Sequence, residues 1–332
     1  MDQVSRERRD QGLAAWIRSC EYALTVGGPR RSGLWGPRRR QGGVAVVTDS
    51  SCSLPPALLN AARPPVTSVP IPVMIGDQIY AGETGASAGG GEGAELERDL
   101  ALAVAQGAPV RTSRPSPGRL LQAFRAAEAA GCEGIVAVHL SSKLSGTVDA
   151  ARLAAEAVGV PVRVVDSQLT GAALGDAVLD AAAVAGRGGS IDAVADAAER
   201  CARGASAFFV VPNLEQLRRG GRINALASLV GGLLWVKPLL GLEDGEVQLV
   251  ERPRTMPRAM ERLMARVEEA ASAMDDPRLV VHGFGNLPEA LELADRVSGL
   301  SARPVPVVDL PPSLAAHLGL GALAVCLTPS PR

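Results

Sequence analysis

Four hydroxyl side chains crowd into the seven positions Ser141-Ser142-Lys143-Leu144-Ser145-Gly146-Thr147. A second cluster, Thr112-Ser113-Arg114-Pro115-Ser116, precedes a helical stretch that begins near Arg119. Ser and Thr are neutral hydrogen-bond donors. A loop running into a helix adds unpaired N–H groups and the positive end of the helix dipole. Such loops suit an oxyanion. The plainer alternative is N-capping, which Ser, Thr and Asp do routinely. One cap uses one side chain, however, and four hydroxyls in seven positions exceed that need.

The histidines are His139, His282 and His317. His139 and His282 close apolar runs and read as structural residues. His317 lies in Ala316-His317-Leu318-Gly319-Leu320-Gly321, where Gly permits close backbone approach to a ligand; a surface turn would look the same. Arg222 follows Gly220-Gly221. It reads either as the basic end of a capped helical turn or as a grip on an anion or partner.

Several chemistries are absent from the pattern. There is no GxxxxGK[ST] and no HExxH. A Ser–His–Asp set can be assembled on paper from Ser145, His317 and Asp49 or Asp166, as in almost any chain of this size. Cys20, Cys52, Cys132, Cys201 and Cys326 are odd in number, scattered and never in a CxxC. They therefore read as buried thiols in a reducing cytoplasm, with neither disulfides nor a metal site. A net charge of −1 argues against a nucleic-acid partner. Lys143 and Lys237 are the only lysines, and we read the excess of Arg as composition. The run from Leu226 to Leu242 is broken by Gly231, Gly232, Lys237 and Pro238, short of the roughly eighteen apolar residues that span a bilayer.

The elements that must position these residues are legible in part. Val44-Ala45-Val46-Val47 ends in Thr48-Asp49-Ser50-Ser51, Ile135 to Leu140 ends in the serine cluster, and Val162 to Val165 ends in Asp166-Ser167. Short apolar runs without alternation suit strands buried on both faces of a parallel sheet. Ala-rich stretches at Arg119–Ala130, Asp149–Ala157, Gly171–Ala185 and Ile191–Arg203 alternate with them, which implies a doubly wound sheet. In such sheets ligands bind beyond the carboxyl ends of the strands. After about residue 204 the pattern changes. Strands are expected near Ala207–Val211, Glu246–Glu251, Arg278–His282 and Val305–Asp309, with helices at Pro257–Met274 and Leu287–Ser298. Residues 1–43 read as an extension, disordered apart from a short helix through Ala14, Trp16 and Ile17, with a basic stretch from Gly27 to Arg40. The Gly-rich segment 85–94 reads as a surface insertion, and the apolar stretch from Ala225 to Leu240 as core helix or tunnel lining. Apolar residues make up 47% of the chain and aromatics 3%. Its core is thus aliphatic, and such cores leave room for linear apolar guests.

Taken in order, Val47-Thr48-Asp49-Ser50, Leu54-Pro55, Val69-Pro70-Ile71, Thr112 to Ser116, Leu140 to Thr147, Val165-Asp166-Ser167, Leu214 to Ile223, Lys237-Pro238 and His317-Leu318-Gly319 resemble the DegV family over residues 44–328. The resemblance implies a three-layer α/β/α domain with a parallel sheet over 44–203, then a second, smaller α/β domain with a mixed sheet over 204–329. It implies a long-chain fatty acid held between them by its carboxylate, with Thr112, His317 and a serine, Ser142 or Ser145, as contacts. Asp49, Ser50, Ser113, Gly146 and Arg222 would stand near the head group or a partner. The implied protein is a cytoplasmic monomer, a carrier rather than an enzyme. It would have no cofactor or metal, could touch a membrane peripherally, and would serve a kinase that phosphorylates the bound acid for phospholipid synthesis. Departures from the pattern are Arg114 in place of Gln, Pro212-Asn213 in place of Asp-Thr, Leu320 in place of a turn Pro, and the Gly-rich segment 85–94.

Overall fold

The computed structural model describes residues 3–25, 42–81, 92–222 and 236–331. The basic stretch, the Gly-rich segment up to Gly91, Ile223 and most of the apolar run after it lie outside the described residues.

In chain order the first half comprises α1 (Gln3–Thr25), β1 (Val44–Asp49), α2 (Pro56–Ala61), β2 (Thr67–Val69), β3 (Val73–Ile75), β4 (Gln78–Tyr80), α3 (Glu92–Ala105), β5 (Val110–Thr112), α4 (Pro117–Ala129), β6 (Gly134–His139), α5 (Thr147–Ala155), β7 (Val162–Asp166), α6 (Gly171–Gly186) and α7 (Ile191–Arg203). The second half comprises β8 (Ser206–Val210), α8 (Glu215–Arg219), β9 (Leu239–Glu243), β10 (Glu246–Glu251), α9 (Met256–Ser272), β11 (Arg278–Gly283), α10 (Leu287–Val297), β12 (Val307–Asp309), α11 (Pro312–Leu318) and β13 (Leu323–Thr328).

The parallel sheet has the order β2-β1-β6-β7. Every residue of β1 and β6 is buried, and the period-2 geometry splits them between two cores. Val44, Val46, Val136 and Val138 face one cluster, with residues of α6 and α7. Ala45, Val47, Ile135 and Ala137 face the other, with Leu120 and Phe124 of α4 and Ala150, Ala151 and Ala154 of α5. This is the expected three-layer arrangement.

The mixed sheet has the order β10-β9-β8-β13-β11-β12, parallel only between β11 and β12. Its region is the shorter in sequence, yet its sheet is the wider. Leu239 and Leu240, the end of the apolar run, form the start of β9 rather than a helix. A third sheet, β4-β3-β5, is antiparallel and was not foreseen. Its strands are three residues each, too short for a period to show.

Helix α6 holds the two larger sheets together. Its residues are buried almost all round, as expected of a helix without a polar face. Gly175 is needed for close packing, since a Cβ there would lie 2.4 Å from the Cys52 carbonyl oxygen. Toward the mixed sheet, Arg278 of β11 forks onto both oxygens of Asp180 at 2.7 and 3.0 Å. Arg278 also donates to Thr328 of β13, which donates to Asp176.

For residues 3–25 the structure corrects the expectation of an extension disordered apart from a short helix through Ala14, Trp16 and Ile17. Residues 3–25 form one helix whose Leu13, Trp16, Ile17, Cys20 and Leu24 pack against the α6 core. The spacing of three and four is the apolar stripe of a docked helix. Arg8 and Arg9 pair with Asp295 and Asp309 across the seam.

Candidate functional site

The loops at the carboxyl ends of the parallel strands meet the mixed sheet around one cavity. Its walls are mainly apolar, with Leu140, Leu144, Phe209, Leu242, Val247 and Leu314 among them. Polar groups reach it at few points: Thr112, Ser113, Ser145, Thr170, Arg222, His282, Ser313 and His317.

Thr112 ends β5 and His317 sits in the last turn of α11, 205 residues apart in sequence. Thr112 Oγ1 and His317 Nε2 lie 2.8 Å apart. Burial, and then the neighbouring Arg222 guanidinium, push the His317 pKa down from 6.5 to about 4. The ring is therefore neutral at neutral pH. Its Nδ1 is buried without a hydrogen-bond partner among the described residues. Gly220 explains how the ring fits, because a Cβ on that residue would stand 2.1 Å from Nδ1.

Arg222 is half-buried. It donates from Nε to the Leu144 carbonyl at 3.1 Å and from Nη1 to the Gly220 carbonyl at 2.6 Å. It pairs with no carboxylate among the described residues. Burial lowers its pKa, as desolvation of an uncompensated cation must. A guest anion would relieve that cost.

The serine cluster divides its work. Ser141 is structural: its hydroxyl donates to the Gly245 carbonyl at 2.7 Å, tying the loop to the β9–β10 hairpin. The Ser142 N–H is held by Asp166 Oδ1 at 3.1 Å, and Ser142 is not part of the cavity wall. Ser145 is, with its hydroxyl 2.9 Å from Thr147 Oγ1. Gly146, just before α5, packs on Arg114.

Asp49 is fully buried, and its carboxylate accepts from the N–H and hydroxyl of Ser51 and from Leu140 N–H, and contacts His139 Nδ1 at 3.0 Å. These bonds lock the ends of β1 and β6 and leave the carboxylate no route to the cavity. Ser50 accepts from Ile71 N–H at 2.9 Å. Of the nine site residues expected from the sequence, the structure thus brings Thr112, Ser113, Ser145, Arg222 and His317 to one cavity. Asp49, Ser50, Ser142 and Gly146 stand outside its wall, occupied with structural bonds or packing.

Three more polar residues line the wall, of which Thr170 and Ser313 were missed in the sequence. His282 Nδ1 lies 2.9 Å from the Val308 carbonyl, and its Nε2 accepts from Ala172 N–H at 3.0 Å. Burial pushes its pKa to about 4. It is a satisfied structural ring, as its place at the end of an apolar run implied. Thr170 and Ser313 carry buried hydroxyls without partners among the described residues. Ser313 was visible as the residue four before His317, on the same helical face.

Ser145, His317 and Asp49 belong to three separate hydrogen-bond sets, with Thr147, Thr112 and His139 respectively. A catalytic triad is not assembled from them. Among the described residues no cluster of His, Cys, Asp and Glu is arranged to hold a metal, and no helix is long and apolar enough to cross a membrane.

Comparison with known proteins follows the same lines. The family described as "Uncharacterised protein, DegV family" matches residues 43–330. A DegV domain-containing protein of Streptomyces coelicolor is 40% identical over 86% of this chain and 98% of its own. Among solved structures, a DegV family protein of Thermus thermophilus described for its fatty acid binding superposes with a TM-score of 0.76 at 30% identity, covering 87% of this chain and all of that one. DegV of Bacillus subtilis, described as a fatty acid binding protein, gives 0.75 at 26% identity, covering 87% and 100% of the two chains. The chain belongs to the DegV family.

Proposed function

We propose that this protein is a carrier that binds a long-chain fatty acid in the cavity, with the carboxylate held by Thr112, Ser145 and His317 and attended by Ser113 and Arg222. The observation that carries this reading is the Thr112–His317 pair, 2.8 Å apart at the wall of a mainly apolar cavity. Each buried CH₂ contributes about 0.8 kcal/mol, so a sixteen-carbon tail supplies roughly 12 kcal/mol gross. Immobilisation offsets several kcal/mol of that. The tail thus supplies affinity, and the head contacts set register, because a buried carboxylate without donors is costly. The fatty acid binding described for the Thermus and Bacillus relatives supports the same guest.

The carrier does not transform the acid. It presents the head group to a partner kinase, which phosphorylates the carboxylate, and the acyl phosphate enters phospholipid synthesis. It works as a cytoplasmic monomer that touches the membrane at most peripherally. Neutral donors contact the carboxylate directly, while Arg222, already bonded to two carbonyls, supplies positive charge nearby. An acyl hydrolase using Ser145 and His317 is the weaker reading, given their separate hydrogen-bond partners.

Mass spectrometry of an organic extract of the purified protein tests binding; lipid-free protein that also fails to take up palmitate or oleate would overturn it. Presentation is tested by mixing loaded protein with a candidate acyl kinase and a nucleoside triphosphate. Acyl phosphate should form with the carrier and not with free fatty acid alone.

A further inference from the structure

Two buried hydroxyls on the cavity wall have no role in the reading above. Ser313 is 5% exposed, and its Oγ has no hydrogen-bond partner among the described residues. Thr170 Oγ1 is likewise buried and unpartnered there. Thr170 occupies the N-cap position of α6, yet its side chain makes no cap hydrogen bond, so the ordinary use of a Thr at that place is not being made. Both residues line the same cavity as Thr112 and His317. Their chain neighbours meet: a Cβ on Gly171, next to Thr170, would lie 3.7 Å from the side-chain Cδ1 of Leu314, next to Ser313. A buried hydroxyl without a partner is destabilising, and a plain acyl chain passing it offers nothing in return.

We propose that Thr170 and Ser313 form a second hydrogen-bonding station in the cavity, which takes an oxygen carried on the acyl chain near its carboxylate, so that the preferred ligands are hydroxylated fatty acids. The proposal rests on the head-group reading and refines it. Ser313 precedes His317 by four residues in α11, about 6 Å along the helix. An extended chain advances roughly 1.2 Å per bond. Six ångströms is about five bonds at most, and the longer His317 side chain leans back along the helix toward Ser313, so a carboxylate at His317 brings a substituent on about the third to sixth carbon level with Ser313. The remainder of the tail meets the aliphatic wall.

The test is a displacement assay with matched acids: palmitate against 3-hydroxypalmitate, and stearate against 12-hydroxystearate, whose hydroxyl is out of reach. Wild-type protein should prefer 3-hydroxypalmitate over palmitate by about tenfold, with no such preference in the stearate pair. Ser313→Ala and Thr170→Val should each remove most of that preference while leaving palmitate binding unchanged or tighter. Two variants guard against one that fails to fold. Palmitate bound as well as or better than its 3-hydroxy derivative by wild type overturns the station, as does a preference unaltered in both variants; a water held between the two hydroxyls would give that result. Failure of wild type to bind any of the four acids overturns the head-group reading itself.

Discussion

Replacing Gly220 by Ala probes the site without touching any polar group in it. The added Cβ would stand 2.1 Å from His317 Nδ1 and 2.8 Å from Cε1. Neither distance is tolerable, so the imidazole must swing by more than an ångström. The 2.8 Å contact between Nε2 and Thr112 Oγ1 cannot survive that movement. Losing one head contact and stranding a buried hydroxyl costs about 2 kcal/mol, near thirtyfold in Kd. Crowding also lowers stability, by about 1–3 kcal/mol. Gly221→Ala is the control. Gly221 has φ +68 and nothing within 4 Å of a built Cβ, so Ala there suffers backbone strain of about 1–2 kcal/mol and no collision. The assay pairs thermal melting with displacement of a fluorescent fatty acid. Both variants should melt lower than wild type; Gly220→Ala alone should weaken binding. Equal affinity in wild type and Gly220→Ala, or a larger binding loss in Gly221→Ala, would refute the assignment of the carboxylate to His317.

Three further outcomes are expected. Thr112→Val and His317→Ala should each weaken palmitate binding about thirtyfold, as for Gly220→Ala, and the double variant by less than the product, since the two side chains act on one head group; strictly multiplicative losses in a titration would separate them. His282 and His317 both have pKa values depressed to about 4 by burial. The unfolded chain therefore takes up protons near pH 6.5 that the folded chain refuses, and stability is complete above that pH and falls as pH drops toward 4. Urea titrations should show a loss of about 2 kcal/mol per histidine between pH 7 and pH 5, partly restored by fatty acid, and a flat profile would contradict the burial of both rings. Asp49→Ala strands Leu140 N–H, Ser51 N–H and His139 Nδ1. It should destabilise by about 3 kcal/mol or more in urea while the folded fraction binds palmitate normally.

The division between what could and could not be read from the chain follows physical lines. The apolar runs at Val44 and Ile135 announced buried parallel strands because neither face of them meets water. Helices α6 and α7 were legible from their Ala-rich composition. Strands β2 to β5 are three residues each and antiparallel in part, and such lengths carry no period. At the site, hydroxyl crowding marked the right loop. It could not distinguish Ser141, which binds Gly245, from Ser145, which lines the cavity, because the partner of each is remote in sequence. Asp49 carried the same ambiguity: a carboxylate after a strand can serve a ligand or its neighbouring strand, and only the position of His139 and Leu140 decides. Helix α1 shows the opposite failure. Its stripe of Leu13, Trp16, Ile17, Cys20 and Leu24 was present in the sequence, but beside the basic Gly/Pro stretch only a short helix through Ala14, Trp16 and Ile17 was read from it.

Helix α6 is seated between two sheets, packed against one and bolted to the other through Asp176, Asp180, Arg278 and Thr328. Neither sheet can lose this helix and keep an intact interior. Calorimetry should accordingly record one endotherm, with calorimetric and van't Hoff enthalpies in agreement, and limited proteolysis should release no long-lived half-molecule from either side of residue 204.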